Sequence, residues 1–169
     1  MDPTAFIALV TVCAPLVDGR TASALVAVES GFNPHAIGVV GGVLDRQPRQ
    51  RTEALATARV LQAKGWNYSV GLAQINVRNF ARLGLTLESA FEPCSNLAAM
   101  QTVLADCLDR ANRTEKPAQR ALRQALSCYY SGNFVTGFDH GYVRRVVKAV
   151  HASADRPAPT LARQSKESP

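Results

Sequence analysis

The sequence predicts a mainly α-helical domain with a short hairpin or irregular segment. Two observations carry that expectation. Alanine supplies 26 of 169 residues while aromatic residues make up only 7%, a balance that favours helix over sheet. Apolar residues also recur at three- and four-residue intervals through most of the chain, the period of an amphipathic helix. An all-β fold is excluded. The length fits a single domain, expected over residues 1–151 and followed by a disordered tail over 152–169. With 47% apolar residues, a chain of this size can bury roughly 70% of its unfolded surface.

Taken in order, Asp2 and Pro3 read as the cap and first residue of a helix whose apolar face is Phe6, Leu9, Val10 and Cys13, ending before Pro15. A second helix is expected from about Thr21, with Ala24, Leu25 and Val28 on one side, stopping near Gly31 because Pro34 follows. Glu29 then falls in its last turn. Residues 36–51 hold three glycines, a proline and β-branched valines without helical period, which predicts a loop or short hairpin. Thr52 is expected to cap a helix carrying Leu55, Ala58 and Leu61, ended by Lys64 and Gly65.

Trp66 to Asn76 reads as a second irregular segment, followed by a short helix ending near Gly84 and a further turn over Thr86 to Phe91. Ser95 to Asn112 is the longest helical pattern, with Leu97, Leu104, Leu108 and Ala111 on one face. Pro117 opens another, placing Ala118, Ala121, Leu122, Ala125 and Tyr129 inward before Gly132 closes it. Val143, Val146, Val147 and Val150 mark the last helix. From Ala152 the chain turns to Pro, Ser and charged residues that bury too little apolar surface to offset ordering.

Nineteen basic residues against thirteen acidic ones give a formal charge of +6, an attraction to polyanions in general. The basic residues are scattered in short pairs such as Arg144-Arg145 without a nucleic-acid recognition motif, so no nucleic-acid partner is expected. The stretch Phe6 to Val17 is too short and too interrupted for a membrane span. The N-terminus lacks the basic region and small-residue cleavage site of a secretory signal, so export in standard form is not expected from it. The cysteines show no C-x-x-C spacing and His35, His140 and His151 are scattered, so neither metal nor cofactor is expected.

One carboxylate stands out by its surroundings. Glu29 sits among Ala27, Val28 and Phe32, and half-burial there would raise its pKa and let it donate a proton near neutral pH. Taken alone, a Glu at a helix end is more often a solvated surface residue. Three segments in order change the odds: Glu29-Ser30-Gly31-Phe32-Asn33-Pro34, then Gly71-Leu72-Ala73-Gln74-Ile75-Asn76, then Cys128-Tyr129-Tyr130-Ser131-Gly132-Asn133. Together they resemble the soluble lytic transglycosylase family, whose pattern is E-S, G-L-M-Q-I and A-Y-N-A-G. The resemblance runs from about Thr21 to Val150, and its flanking stretches look like the branch that serves type IV secretion systems.

The resemblance implies a lysozyme-like fold, periplasmic work on peptidoglycan glycan strands, and partners among the secretion subunits. It implies that Glu29 protonates the glycosidic oxygen and then acts as base, so that the muramic 6-hydroxyl closes a 1,6-anhydro ring without a second catalytic carboxylate. Gln74 matches the Gln that holds the sugar, donating to and accepting from its N-acetyl group. Tyr129 matches the motif Tyr, whose hydroxyl would orient Glu29, and Tyr142 resembles a later cleft Tyr. Ser30, Asn76, Tyr130 and Asn133 complete the set of expected sugar contacts. Two departures stand in the pattern: Ala73 replaces Met, trimming an apolar contact on the cleft wall, and Tyr130 replaces Asn, exchanging an amide for a ring that can stack on sugar. A glycan-gripping assembly module of the same fold is the alternative to an enzyme.

In an oxidising compartment the cysteines should pair, and four allow three connectivities. Cys13 and Cys94 lie at element ends, which favours Cys13–Cys94 and leaves Cys107–Cys128 on consecutive helices.

Overall fold

A computed structural model describes residues 3–113 and 117–154. The expected cap at Asp2 and the tail from residue 155 onward lie outside the described residues. Helix α1 (Pro3–Cys13) starts at the expected proline and buries Phe6, Val10 and Cys13. Helix α2 (Gly19–Ser30) begins two residues before Thr21, because Asp18 Oδ1 accepts from the backbone N–H groups of Arg20 and Thr21. A side-chain acceptor at that position satisfies donors the helix itself cannot. The helix ends at Gly31, as its αL conformation requires.

Residues 36–51 form no hairpin of their own. Strand β1 (Ile37–Val39) instead pairs antiparallel with β2 (Tyr68–Val70) from the second irregular segment, and β2 turns through residues 71–74 into β3 (Ile75–Asn76). The hairpin therefore lies at 68–76, and its partner strand comes from thirty residues earlier, a pairing no local pattern encodes. The register aligns Ile37, Val70 and Ile75 in one row, all buried, and Gly38, Ser69 and Asn76 in the next, which lines an open cleft. Alternation along each strand thus separates core from cleft. The free edge of β1 is covered by Gln47, whose amide accepts from Ile37 N and donates to Ile37 O.

Helix α3 (Arg51–Ala63) starts one residue before Thr52, which lies in its first turn; no side chain caps it. Its inner face, Leu55, Ala58 and Leu61, is buried as the period requires. After a 3₁₀ turn at Val77–Asn79 come α4 (Phe80–Leu83), α5 (Leu87–Ala90) capped by Thr86, and the long α6 (Pro93–Asn112), which Pro93 opens two residues before Ser95. In α7 (Ala118–Ser131), Ala121 and Ala125 are buried, whereas Ala118 is exposed in the first turn. Helix α8 (Thr136–Asp139) is unannounced by any apolar period. Helix α9 (Tyr142–Ala154) continues three residues past position 151 and buries Val143 and Val146.

Helix α6 packs on α7, α2 on α9, and α1 braces α2 and α6. Among the described residues, no helix is long and apolar enough to cross a membrane. Two disulfides tie these layers, Cys13–Cys94 between α1 and α6 and Cys107–Cys128 between α6 and α7. They span 81 and 21 residues, which in the chain-entropy model corresponds to about 4.5 and about 3.4 kcal/mol. Replacing both members of Cys13–Cys94 by Ser should therefore cost roughly 1 kcal/mol more than the same change in Cys107–Cys128, a difference that urea denaturation of the two variants measures.

Candidate functional site

The cleft, of about 770 Å³, lies between the sheet and helices α2 and α7. All three motif segments meet at it, through the tip of the β2–β3 hairpin. Ser30 Oγ, at the end of α2, donates to Leu72 O at 2.7 Å; Tyr129, on α7, donates to Ala73 O at 2.7 Å. From α6 the fully buried Asn96 accepts from Ala73 N at 2.8 Å and donates to Val70 O and Ala90 O. Gly71 makes that contact possible. Its φ is +80°, and a Cβ there would lie 2.3 Å from Asn96 Nδ2.

Glu29 lines the cleft from the last turn of α2. Burial pushes its pKa up from 4.5 to about 7, against the opposing pull of the Tyr142 hydrogen bond and the Arg145 charge. Tyr142 reaches it from the start of α9 and donates to Oε1 at 2.5 Å. Oε2 has no hydrogen-bond partner among the described residues. Burial, and then the charge of Glu29, drive the Tyr129 and Tyr142 hydroxyls far above the ordinary tyrosine range, which keeps both as donors.

Tyr142 is itself held on two sides. Tyr130 stacks on its ring at 4.6 Å and 19°, and the Arg145 guanidinium lies 5.9 Å from its centroid. Arg145 is anchored by donating to His140 O, and Tyr130 Oη meets His140 Nδ1 at 3.3 Å. Arg145 and His140 are the site residues that motif reading missed; the Arg144-Arg145 pair registers in the sequence only as scattered charge.

Several expected roles shift in the structure. The Tyr129 hydroxyl is engaged by Ala73 O, and it is Tyr142 that bonds Glu29. Gln74 Nε2 donates to Ala36 O and Gly71 O, so both its hydrogens are used and only Oε1 remains to accept from a sugar amide. Gly38 makes room for that oxygen, since a Cβ there would sit 2.6 Å from it. Asn76 lines the cleft but bridges Ser69 Oγ and Arg78 N. Asn133 does not line it: its Oδ1 accepts from Val135 N and Thr136 N to start α8. Ser30 likewise tethers the hairpin tip and is absent from the lining. Ala73 is fully buried and does not itself line the cleft.

The other acids near Glu29 in sequence are elsewhere. Asp18 caps the far end of α2, about 16 Å away at 1.5 Å per residue, and Glu53 pairs with Arg46. Neither these nor Asp45 line the cleft; among the described residues Glu29 is its only carboxylate.

Residues 11–150 match the family described as "Transglycosylase SLT domain". The chain belongs to that family. Its mainly α, lysozyme-like fold with a small sheet beside the cleft follows the family. A relative in Brucella abortus, "Type IV secretion system protein virB1", is 50% identical over 157 residues, covering 89% of this chain and 64% of the relative. "Protein virB1" of Rhizobium radiobacter and that of Agrobacterium fabrum are each 39% identical, covering 83% and 81% of this chain and 58% and 56% of theirs. The chain thus spans less than two thirds of the length of these relatives. No solved structure gives a significant match.

The raised pKa of Glu29 has a stability consequence of definite sign. The folded state holds a proton that the unfolded state releases above about pH 4.5, so stability falls as pH rises from about 4.5 to about 7, by about 3 kcal/mol in all. Glu29→Gln removes that loss. Thermal melts should show the variant level with wild type near pH 4 and more stable at pH 8. Tyr142→Phe removes a hydrogen bond to the charged form, so Glu29 should titrate at higher pH in the variant, which an NMR titration of its carboxyl measures.

Proposed function

We propose that this chain is a peptidoglycan lytic transglycosylase that opens the wall locally for a type IV secretion apparatus, working in the periplasm. The observation that carries the proposal is a single half-buried acid, its pKa pushed up to about 7 by burial, in a cleft of about 770 Å³ that no second carboxylate lines among the described residues. Two-carboxylate glycosidases need a partner roughly 5 to 9 Å away.

The chemistry then proceeds with Glu29 alone. Glu29 Oε2–H gives its proton to the glycosidic oxygen as the C1–O bond breaks, and the substrate's own acetamido oxygen stabilises the anomeric carbon. The resulting carboxylate, kept in place by Tyr142 on Oε1, takes the proton of the muramic 6-hydroxyl while that oxygen bonds to C1. The product is a 1,6-anhydro end, and Glu29 is protonated again. Gln74 Oε1 and the Tyr130 ring supply sugar contacts on the cleft walls. No metal or cofactor enters the scheme. The secretion system role rests on the names of the virB1 relatives and on the family's branch.

Glu29→Gln should abolish cleavage, a loss of at least about 10² to 10⁴ in rate, while wild-type protein releases anhydromuropeptides from purified wall. Mass spectrometry of the products checks both. Reducing-end products alone, or equal turnover by the variant, would return the chain to hydrolysis or to a non-catalytic glycan-binding module.

A further inference from the structure

The three helices that build the cleft at one end form a second depression at the other. Glu29, Tyr129 and Tyr142 come together where α2 and α7 end and α9 begins. Towards the opposite ends of the same helices, a groove of about 690 Å³ is lined by Asp18 and Arg20 at the start of α2, by Leu122 and Leu126 of α7, and by Val146, Val147 and Val150 of α9. An apolar depression of about 470 Å³, lined by Phe138 and Val143, adjoins it and shares Arg123, Val147 and His151. Asp18 lies about 16 Å from Glu29 along α2 at 1.5 Å per residue, so an occupant of the groove leaves the cleft open.

This face has an apolar floor and a cationic rim. Leu126, Val143 and Val146 are buried in the floor, and Leu122, Val147 and Val150 are half-buried. Around them Arg20, Arg120, Arg123, Arg144 and Lys148 are exposed, and none has a salt-bridge partner among the described residues. Asp18 is the one carboxylate among the described residues of this lining, and its Oδ1 is spent on capping α2. A groove between two helices accepts the apolar side of a third. Unpaired cations at its margin select carboxylates flanking that side.

We propose that this groove docks an acidic amphipathic helix of another protein, which holds the chain by the end away from the cleft. Other occupants fit less well. Residues 155–169 carry Arg156, Arg163 and Lys166 against Asp155 and Glu167, the wrong sign for a cationic rim. Two copies joined by this face would bring like charges together. A lipid surface calls for projecting apolar side chains, and of the residues lining these depressions only Phe138 is an exposed large apolar one.

The test titrates the isotope-labelled full chain with a designed helical peptide that carries leucines on one face and glutamates beside them, and with its counterpart in which every glutamate is lysine. The glutamate peptide should bind, with NMR shifts confined to α7, α9 and the start of α2, and added salt should weaken it. Arg123→Glu and Lys148→Glu, both at exposed positions and with unchanged melting curves, should each weaken binding about tenfold, the scale of one charge-assisted contact. Lys64→Glu, the same change of charge at the end of α3, should leave it unchanged. Wall cleavage should be unaffected at saturating peptide. No binding of the glutamate peptide, equal binding of the lysine peptide, or shifts centred on the cleft would overturn the proposal. So would self-association through this face in sedimentation, or Arg123-dependent binding to anionic phospholipid vesicles in place of the peptide. Each of these outcomes leaves the transglycosylase reading untouched, since none depends on turnover.

Discussion

The site depends on one buried amide. Asn96 uses its oxygen and both hydrogens to join Ala73 N, Val70 O and Ala90 O, with no exposure to solvent. A buried amide satisfied in this way is rigid, and leaving any of those backbone groups unpaired would cost about 1 to 3 kcal/mol each. It holds the hairpin tip at the height where Ala73 O meets Tyr129 and Leu72 O meets Ser30. Three helices far apart in sequence therefore position Gln74 through backbone atoms, and the Gln74 side chain has only to close one bond at its own turn, to Gly71 O, and one to Ala36 O just before β1.

A second constraint sets the acid. A carboxylate withdrawn from water is a strong base, so burial alone would hold the proton on Glu29 still more firmly. Tyr142 and Arg145 oppose that tendency, and the balance falls at about 7. Both come from α9, 113 residues away for the Tyr142 contact, so docking of the last helix against α2 is what tunes the acid. The Tyr130 stack and the His140 carbonyl keep these two side chains where they act.

How much of this is legible in the sequence follows from the range of each interaction. The longer helices announce themselves by apolar period, and several of their ends by Gly31, Gly84 and Gly132, because helical hydrogen bonds and caps are local; the four-residue α8 does not, and the Asp18 cap that starts α2 is read only from the structure. Motif spacing singles out Glu29 and Gln74, and the fold brings both to the cleft. The pairing of β1 with β2 is not found, since strand partners thirty residues apart leave no mark on either segment. Nor is the exchange of roles between Tyr129 and Tyr142, because a hydroxyl's partner depends on angstroms and not on its neighbours in the chain. Asn133 illustrates the same limit: an Asn after a helix-closing Gly reads equally as a sugar contact or as the start of the next turn, and its oxygen takes the second role.

The Tyr130 substitution shows how a departure from a motif can be absorbed. An amide at that place would meet the sugar directly, whereas the tyrosine ring lies flat on Tyr142 and still leaves its outer part at the cleft. One residue thus offers a face to a sugar while stiffening the donor that holds Glu29. Stacking of this kind contributes about 0.5 to 1.5 kcal/mol beyond area burial, comparable to a neutral hydrogen bond, so the exchange need not weaken the cleft. What it changes is coupling: the ring is pressed on Tyr142, whose hydroxyl bonds Glu29 Oε1, so Tyr130 and Glu29 share one packed unit.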